Sequence, residues 1–167
     1  TTIKFPSISV GATENALLAA IKAKGKTVLK NCAIEPEIKD LILFLKKLGA
    51  KINTKKRTII IKGSEIKNSK IVHKVIFDRI ELGTYMIAAS LLAKKDLQIN
   101  RINPKIIKSE ISILWKIGAQ IKTRKTSIKI RRKKILKKIN LSTKPYPGFP
   151  TDLQAQLMVL LTQVNGT

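Results

Sequence analysis

A single cysteine, Cys32, among 167 residues leaves no disulfide within the chain and no zinc site built on cysteines. Aromatic residues make up 4%, too few to line a groove that stacks unpaired bases. Arginine supplies only six of the 34 cationic side chains, whereas direct reading of base edges leans on arginine. No apolar run reaches the roughly 18 residues that cross a bilayer, and the N-terminal residues lack the basic, apolar, small-residue order of an export signal. The expected location is therefore the cytoplasm. Acids are scarce too: 10 Asp and Glu against 34 Lys and Arg leave a formal charge of +24, a field that attracts anions whatever the fold. Beyond Glu110 the only acid is Asp152, in a tail crowded with lysine.

What is present is a folded protein's share of apolar residues, 44%, with 26% charged, so disorder is not expected. It is arranged as a repeat. LKKLGAKINTKKRTIII from Leu45 returns as LWKIGAQIKTRKTSIKI from Leu114, 69 residues later. Carried backwards without a gap, that offset sets Ala19-Ala20 on Ala88-Ala89, Val28 on Leu97, Asn31 on Asn100 and Ile38 on Ile107. Within each copy the apolar period switches between helical and alternating, as strands interleaved with helices require. The first copy predicts helices over 12–23 and 36–48, the latter stopped by Gly49, and strands over 27–31, 51–54 and 58–62. The second predicts helices over 82–93 and 104–117 and strands over 97–100, 120–123 and 127–131. Bridging strands are expected over 70–76 and 137–142. A third copy is expected to begin with a helix over 153–164, followed by a turn at Asn165-Gly166 like that at Lys24-Gly25. A helix with no sheet behind it cannot bury its apolar face alone, so these residues are expected to belong to a longer polypeptide or to need a partner.

Several motifs admit structural readings. AIKAKGKT, Ala20 to Thr27, is not a phosphate-binding P-loop, since Ala20 stands where the first glycine should be and the stretch runs from helix into strand. Cys32 lacks a visible base or helix N-terminus to form a thiolate, and His73 has no ligand-type neighbour at metal-binding spacing, so both read as structural and no metal is expected. SVGATEN from Ser9 puts small residues at the mouth of a helix, where free N–H groups can meet a phosphate or where Ser or Thr can merely cap the helix. Asp78, Arg79 and Glu81 open a helix with acids that suit its dipole and a surface ion pair, and Glu35-Pro36-Glu37 opens another. PYPGFPTDLQAQ, Pro145 to Gln156, has three prolines within six residues, so a stiff loop delivers Asp152 to a helix start. There Thr151 or Asp152 merely caps the helix, or Asp152 is aimed at a ligand.

Together SVGATEN at Ser9, EPEIKDL at Glu35, LGAKI at Leu48, DRIELGTY at Asp78 and PYPGFPTDLQAQ at Pro145 resemble the UDP-N-acetylglucosamine 1-carboxyvinyltransferases, or enolpyruvyl transferases, over essentially the whole chain. The last piece is the most specific. The resemblance implies an α/β (α+β) fold of repeated βαβαββ units, the inside-out α/β barrel of enolpyruvyl transferases, here incomplete. Residues 1–76 would be the last unit of a first domain, and 77–167 the first unit and the start of the next in a second. Substrates would close between two such domains.

It also implies transfer of the enolpyruvyl group of phosphoenolpyruvate to the 3-hydroxyl of UDP-N-acetylglucosamine in peptidoglycan precursor synthesis, with no cofactor. By the same resemblance Asp152 is the catalytic base, and Ser9, Val10 and Gly11 contact the UDP-sugar. Glu35, Arg79 and Glu81 would lie near the cleft. The family's Lys-Asn pair, its loop with a reactive cysteine and its later arginines have no counterpart here; Cys32 does not match that cysteine, and Ser7 stands where some members have lysine. The chain alone is thus expected to be inactive, its partners being the two substrates and the remainder of its own polypeptide. A monomeric complete enzyme is expected, without membrane or specific nucleic-acid partners. The competing reading, prompted by +24, is a non-catalytic basic module for anions or nucleic acid.

Overall fold

Apolar side chains alternating along Thr58–Lys62 and recurring every three or four residues along Pro36–Lys47 turn one face of each segment inward. The computed structural model describes residues 1–66, 70–133 and 136–164, so the Asn165-Gly166 turn lies outside the described residues. The chain divides into two compact units, Thr1–Ile76 and Phe77–Thr167.

The first unit runs β1 (Thr2–Lys4), α1 (Val10–Ala20), β2 (Lys26–Lys30), α2 (Pro36–Lys47), β3 (Lys51–Lys55) and β4 (Thr58–Lys62). Its sheet has the order β1-β2-β4-β3, with β1 parallel to β2 and the other pairs antiparallel. Leu17, Leu29, Ile38 and Ile61 are fully buried between helices and sheet, each worth about 1.5–3 kcal/mol of burial. Gly49 ends α2 at φ +97°, letting the Ala50 N–H reach back to the Leu45 carbonyl at 3.0 Å. That is the cap the sequence predicts.

The second unit runs α3 (Arg79–Leu92), β5 (Leu97–Asn100), α4 (Lys108–Ile117), β6 (Gln120–Thr123) and β7 (Ser127–Arg131), with the sheet order β5-β7-β6. Gly118, at φ +110°, repeats the same cap, with the Ala119 N–H on the Leu114 carbonyl at 2.9 Å. A loop, a short 3-10 helix (Thr151–Leu153) and α5 (Gln154–Leu161) follow.

Four expectations change. The 104–117 helix is two pieces, a 3-10 turn over Pro104–Ile106 and then α4, because Ile107 leaves helical geometry at ψ +35° between them. No strand forms over 70–76 or 137–142 among the described residues. Instead side chains hold the first of these segments onto α2: Lys47 Nζ donates to the Val72 carbonyl at 3.1 Å, and Asp40 accepts the Ile76 N–H at 3.4 Å and lies 3.2 Å from His73 Nε2. The ungapped repeat also slips locally. Leu29 pairs with Ile59 where Ile99 pairs with Ile128, and the positive-φ residue after the strand is Asn31 in one unit and Arg101 in the other, so β2 maps onto β5 with one extra residue. Finally, α5 buries a face without a sheet of its own, against α3: Leu157 and Leu160, with Leu153 just ahead of the helix, enter the core, leaving Met158 and Val159 exposed.

Candidate active site

In the second unit every constraint on the proline loop converges just ahead of Asp152. Lys144 N–H bonds the Phe149 carbonyl at 2.9 Å and Gly148 N–H bonds the Pro145 carbonyl at 2.9 Å, closing the loop on itself. Phe149 is buried at one end, and Leu153 at the other enters the core against α3. A Cβ at Gly83 would run into the Leu153 Cδ1 methyl, so glycine leaves room for the Leu153 side chain to pack against α3 as it does. Gln156 Nε2 donates to Thr84 Oγ1 at 3.1 Å, a second tie between α5 and α3. The Tyr146-Pro147 bond is cis.

Beneath the loop lies a buried polar cluster. Arg79 and Glu110, exposed by 6% and 2%, form an ion pair at 3.8 Å, and the Arg79 guanidinium lies 5.9 Å from the Tyr146 ring centroid. Ser109 Oγ sits 2.6 Å from Glu110 Oε2 and 3.1 Å from the Gly148 carbonyl. One hydroxyl proton serves both acceptors, and the carboxylate, closer and charged, is the stronger. A buried ion pair contributes little net stability, but removing either partner strands a charge, so the cluster fixes geometry more than it adds energy.

Asp152 stands at the top of this frame. It is exposed, and no side-chain cap bond is made at the start of either the 3-10 helix or α5, whose N-cap residues are Pro150 and Leu153. The cap reading therefore drops out. Its carboxylate has no structural duty among the described residues.

In the first unit Ser9 does cap α1, its Oγ accepting the Ala12 N–H at 3.2 Å. No reciprocal capping box forms, since the residue three on is alanine. Thr13 carries the buried end of this turn: its hydroxyl donates to the Ser9 carbonyl at 2.7 Å and accepts the Ala33 N–H at 3.0 Å. Gly11 faces open space, a Cβ there meeting nothing within 4 Å. Val10 is half-buried beside it.

The other residues singled out divide. Glu81 is exposed on the first turn of α3, where Asp78 accepts its N–H at 3.1 Å and that of Ile80 at 2.7 Å. Arg79 is not in a surface pair with a neighbouring acid but inside, with Glu110. Glu35 is 4% exposed at the N-terminus of α2, where its carbonyl accepts the Ile38 N–H at 3.1 Å. Cys32 is fully buried, and desolvation pushes its thiol above the usual range against a smaller opposing contribution from the Ile59 backbone. Among the described residues no group of three His, Cys, Asp or Glu side chains is placed to hold a metal.

Sequence reasoning missed Glu110 and Ser109. The signal was there: Glu110 occupies the core stripe that Ile113, Leu114 and Ile117 continue at spacings of three, four and seven, and an acid in such a stripe needs a buried partner.

The family model of EPSP synthase (3-phosphoshikimate 1-carboxyvinyltransferase) matches residues 1–167, the whole chain. The chain belongs to that family. Among curated members of the enolpyruvyl transferases it is 56% identical over 165 residues to the UDP-N-acetylglucosamine 1-carboxyvinyltransferase of Pelagibacter ubique (strain HTCC1062), covering 98% of this chain and 39% of that one. With the enzyme of the same name from Halothermothrix orenii (strain H 168 / OCM 544 / DSM 9562) it shares 50% over 166 residues, covering 95% and 38%. The chain thus spans about two fifths of the length of these relatives. Among solved structures it resembles the enolpyruvyl transferase NikO from Streptomyces tendae, with TM-score 0.80, 25% identity and coverage of 93% and 38%. The fold also matches EPSP synthase from Acinetobacter baumannii, with TM-score 0.56, 20% identity and coverage of 97% and 35%. The enolpyruvyl-transferase fold that the resemblance implies is therefore the observed one.

Proposed function

We propose that this chain forms part of an enzyme that moves the enolpyruvyl group of phosphoenolpyruvate to the 3-hydroxyl of UDP-N-acetylglucosamine, with Asp152 as the base. The carrying observation is the state of Asp152: an exposed carboxylate, free of structural bonds, on a loop that Phe149, Leu153 and the Arg79–Glu110–Ser109 cluster hold in place. Relatives carrying that activity in their names, at 56% and 50% identity, support the choice of substrates.

In this reading the sugar O3–H bond breaks and its proton passes to Asp152. O3 bonds to C2 of phosphoenolpyruvate while C3 takes a proton from a general acid in the rest of the polypeptide. The C2–O bond to phosphate then breaks with its electron pair going to the phosphate oxygen, C3 returns a proton to the conjugate base of that acid, and the enol ether and free phosphate leave. Timing the two proton movements together is what lets a carboxylate serve, because the alcohol oxygen attacks C2 as it loses its proton and is never a free alkoxide. Loop rigidity matters for the same reason, since a base displaced by an ångström loses much of its effect.

Ser9, Val10 and Gly11 are assigned to the UDP-sugar in this proposal. The first-turn N–H groups of α1 and the bare Gly11 surface suit a phosphate or a sugar hydroxyl approaching closely. Glu81, exposed, fits the cleft-lining role; Arg79 and Glu35 act from inside their own units, Arg79 as a positioning residue. The proposal includes the assignment of 1–76 to the end of one domain and 77–167 to the start of another, a monomeric complete enzyme and a cytoplasmic location. It also includes dependence on the rest of the polypeptide for turnover.

The test replaces the matching stretch of the Pelagibacter relative by these 167 residues and compares the chimaera with its Asp152→Asn form. Loss of phosphate release with UDP-sugar affinity retained is expected. Equal turnover by both forms would remove Asp152 from the chemistry.

A further inference from the structure

The strand register of the first unit gathers lysines that are far apart in sequence. Lys26, Lys62 and Lys51 fall in one rank across β2, β4 and β3. Lys4, Lys30 and Lys55 fall in a second rank across β1, β2 and β3, with Thr58 between the last two. All six are exposed and share the outer face, because the alternate residues Thr27, Leu29, Ile52, Ile59 and Ile61 are buried on the inner one. The ranks are four residues apart, about 13 Å, and neighbouring lysines within a rank stand about 4.8 Å apart. Between them runs an uncharged rank, Thr2, Val28, Ile60 and Asn53. The face holds no acid, no arginine and no aromatic residue.

Like charges set directly opposite each other across strands disfavour the sheet. The second unit does this once and on a smaller scale: on the corresponding face Lys122 stands opposite Lys129, whose other neighbour is Gln98, while Arg131 bonds Gln120 through two nitrogens at 3.0 and 2.7 Å and lies 3.8 Å from Asp96. A lysine excess scattered by composition alone would load both faces alike. The first face is instead a plane of point charges with an apolar middle.

We infer that the outer face of the β1-β2-β4-β3 sheet docks on an anionic lipid surface. Ammonium groups without the planar fork of arginine do not select bidentate geometry, and the absence of aromatic rings leaves nothing for bases to stack on. Lipid phosphates move laterally to meet each lysine, and Val28 and Ile60 contact the interface between the ranks. Such docking needs no spanning helix, and none among the described residues is long and apolar enough to span. It stands against the expectation of no membrane partner, and the test below decides between the two.

The test measures partition of the 167-residue chain onto vesicles of phosphatidylcholine with and without one-third phosphatidylglycerol. Binding should require the anionic lipid and weaken as salt rises. Each lysine near such a surface is worth about fivefold, so Lys26→Gln/Lys51→Gln/Lys62→Gln should weaken binding by about a hundredfold. The charge-matched Lys105→Gln/Lys108→Gln/Lys116→Gln form, altered in the second unit, should lose only a few-fold, with thermal melts confirming that both triples remain folded. Equal loss in the two triples would reduce the effect to net charge and overturn the inference. So would absence of binding to the anionic vesicles, or tighter binding to a DNA duplex at equal phosphate concentration.

Discussion

The two units share one plan and handle polarity in opposite ways. In the first, the cations stay outside: lysines collect on the outer face of the four-stranded sheet, and the polar groups inside are the Glu35 side chain at the start of α2 and the Thr13 hydroxyl, which ties the Ser9 turn to the Ala33 backbone. In the second, charge goes inside. Arg79 and Glu110 are buried beneath the loop that leads into Asp152, and among the outer cations Arg131 is held by Asp96 and Gln120 while Lys122 and Lys129 face each other. A duplicated unit therefore does not imply duplicated roles. The first copy gives its outer sheet face to lysines, whereas the second gives part of its core to an ion pair beneath the proline loop.

The sharpest way to break this contrast is at Asp152. In the chimaera, Asp152→Asn should lower turnover by about a thousandfold, within the range for removing a general base, while the melting of neither unit changes. Next comes the buried pair. Glu110→Ala should destabilise the second unit by about 3–5 kcal/mol by stranding Arg79, whereas Arg79→Met/Glu110→Leu should recover much of that loss. Hydrogen exchange should locate the damage in α3, α4 and the proline loop, with α1 and α2 unchanged; uniform loss of protection would mean that the two units are not independent.

Two glycines sharpen the comparison further. Gly83→Ala drives a methyl into Leu153 and should cost about 1–3 kcal/mol. Gly11→Ala, in open space inside α1, should instead stabilise by about 0.5–1 kcal/mol, while weakening UDP-sugar binding if that surface receives the ligand. Paired thermal melts and ligand titration read both signs.

The smallest effect belongs to Cys32. Because the folded thiol titrates above its ordinary value, its contribution is fully present at neutral pH and is lost as pH climbs past the unfolded thiol's range, where the unfolded chain ionises first. Stability of the first unit should decline at alkaline pH and decline less in Cys32→Ala. Alkylation of Cys32 in the folded chain should be slow until that unit opens.

Most of the ladder was legible because alternation is a local signal. Thr58–Lys62, Leu97–Asn100, Gln120–Thr123 and Ser127–Arg131 run where the apolar pattern sets them, and Gly49 and Gly118 stop their helices where a positive φ is wanted. The expected strand over 70–76 failed for the converse reason. Alternation says that a segment can be a strand, but pairing depends on an available edge, and here Asp40 and Lys47 of α2 offer its backbone other partners. The slip of one residue between β2 and β5 was hidden because Val28 over Leu97 looks as good on paper as Leu29 over Ile99. Of the site, the stiff loop and its acid could be read from prolines alone, whereas the cluster beneath it joins Arg79, Ser109, Glu110 and Tyr146 across three segments.

By itself the sequence determined the repeat, the strand and helix periods, the helix stops and the rigidity of the loop before Asp152, since each depends on residues within a turn or two of one another. Only the tertiary structure decided that Asp152 caps nothing, that Arg79 is buried on Glu110, and that lysines from four strands share one face. Those outcomes depend on which distant side chains compete for the same proton, pocket or rank, and that competition is settled only when the chain packs.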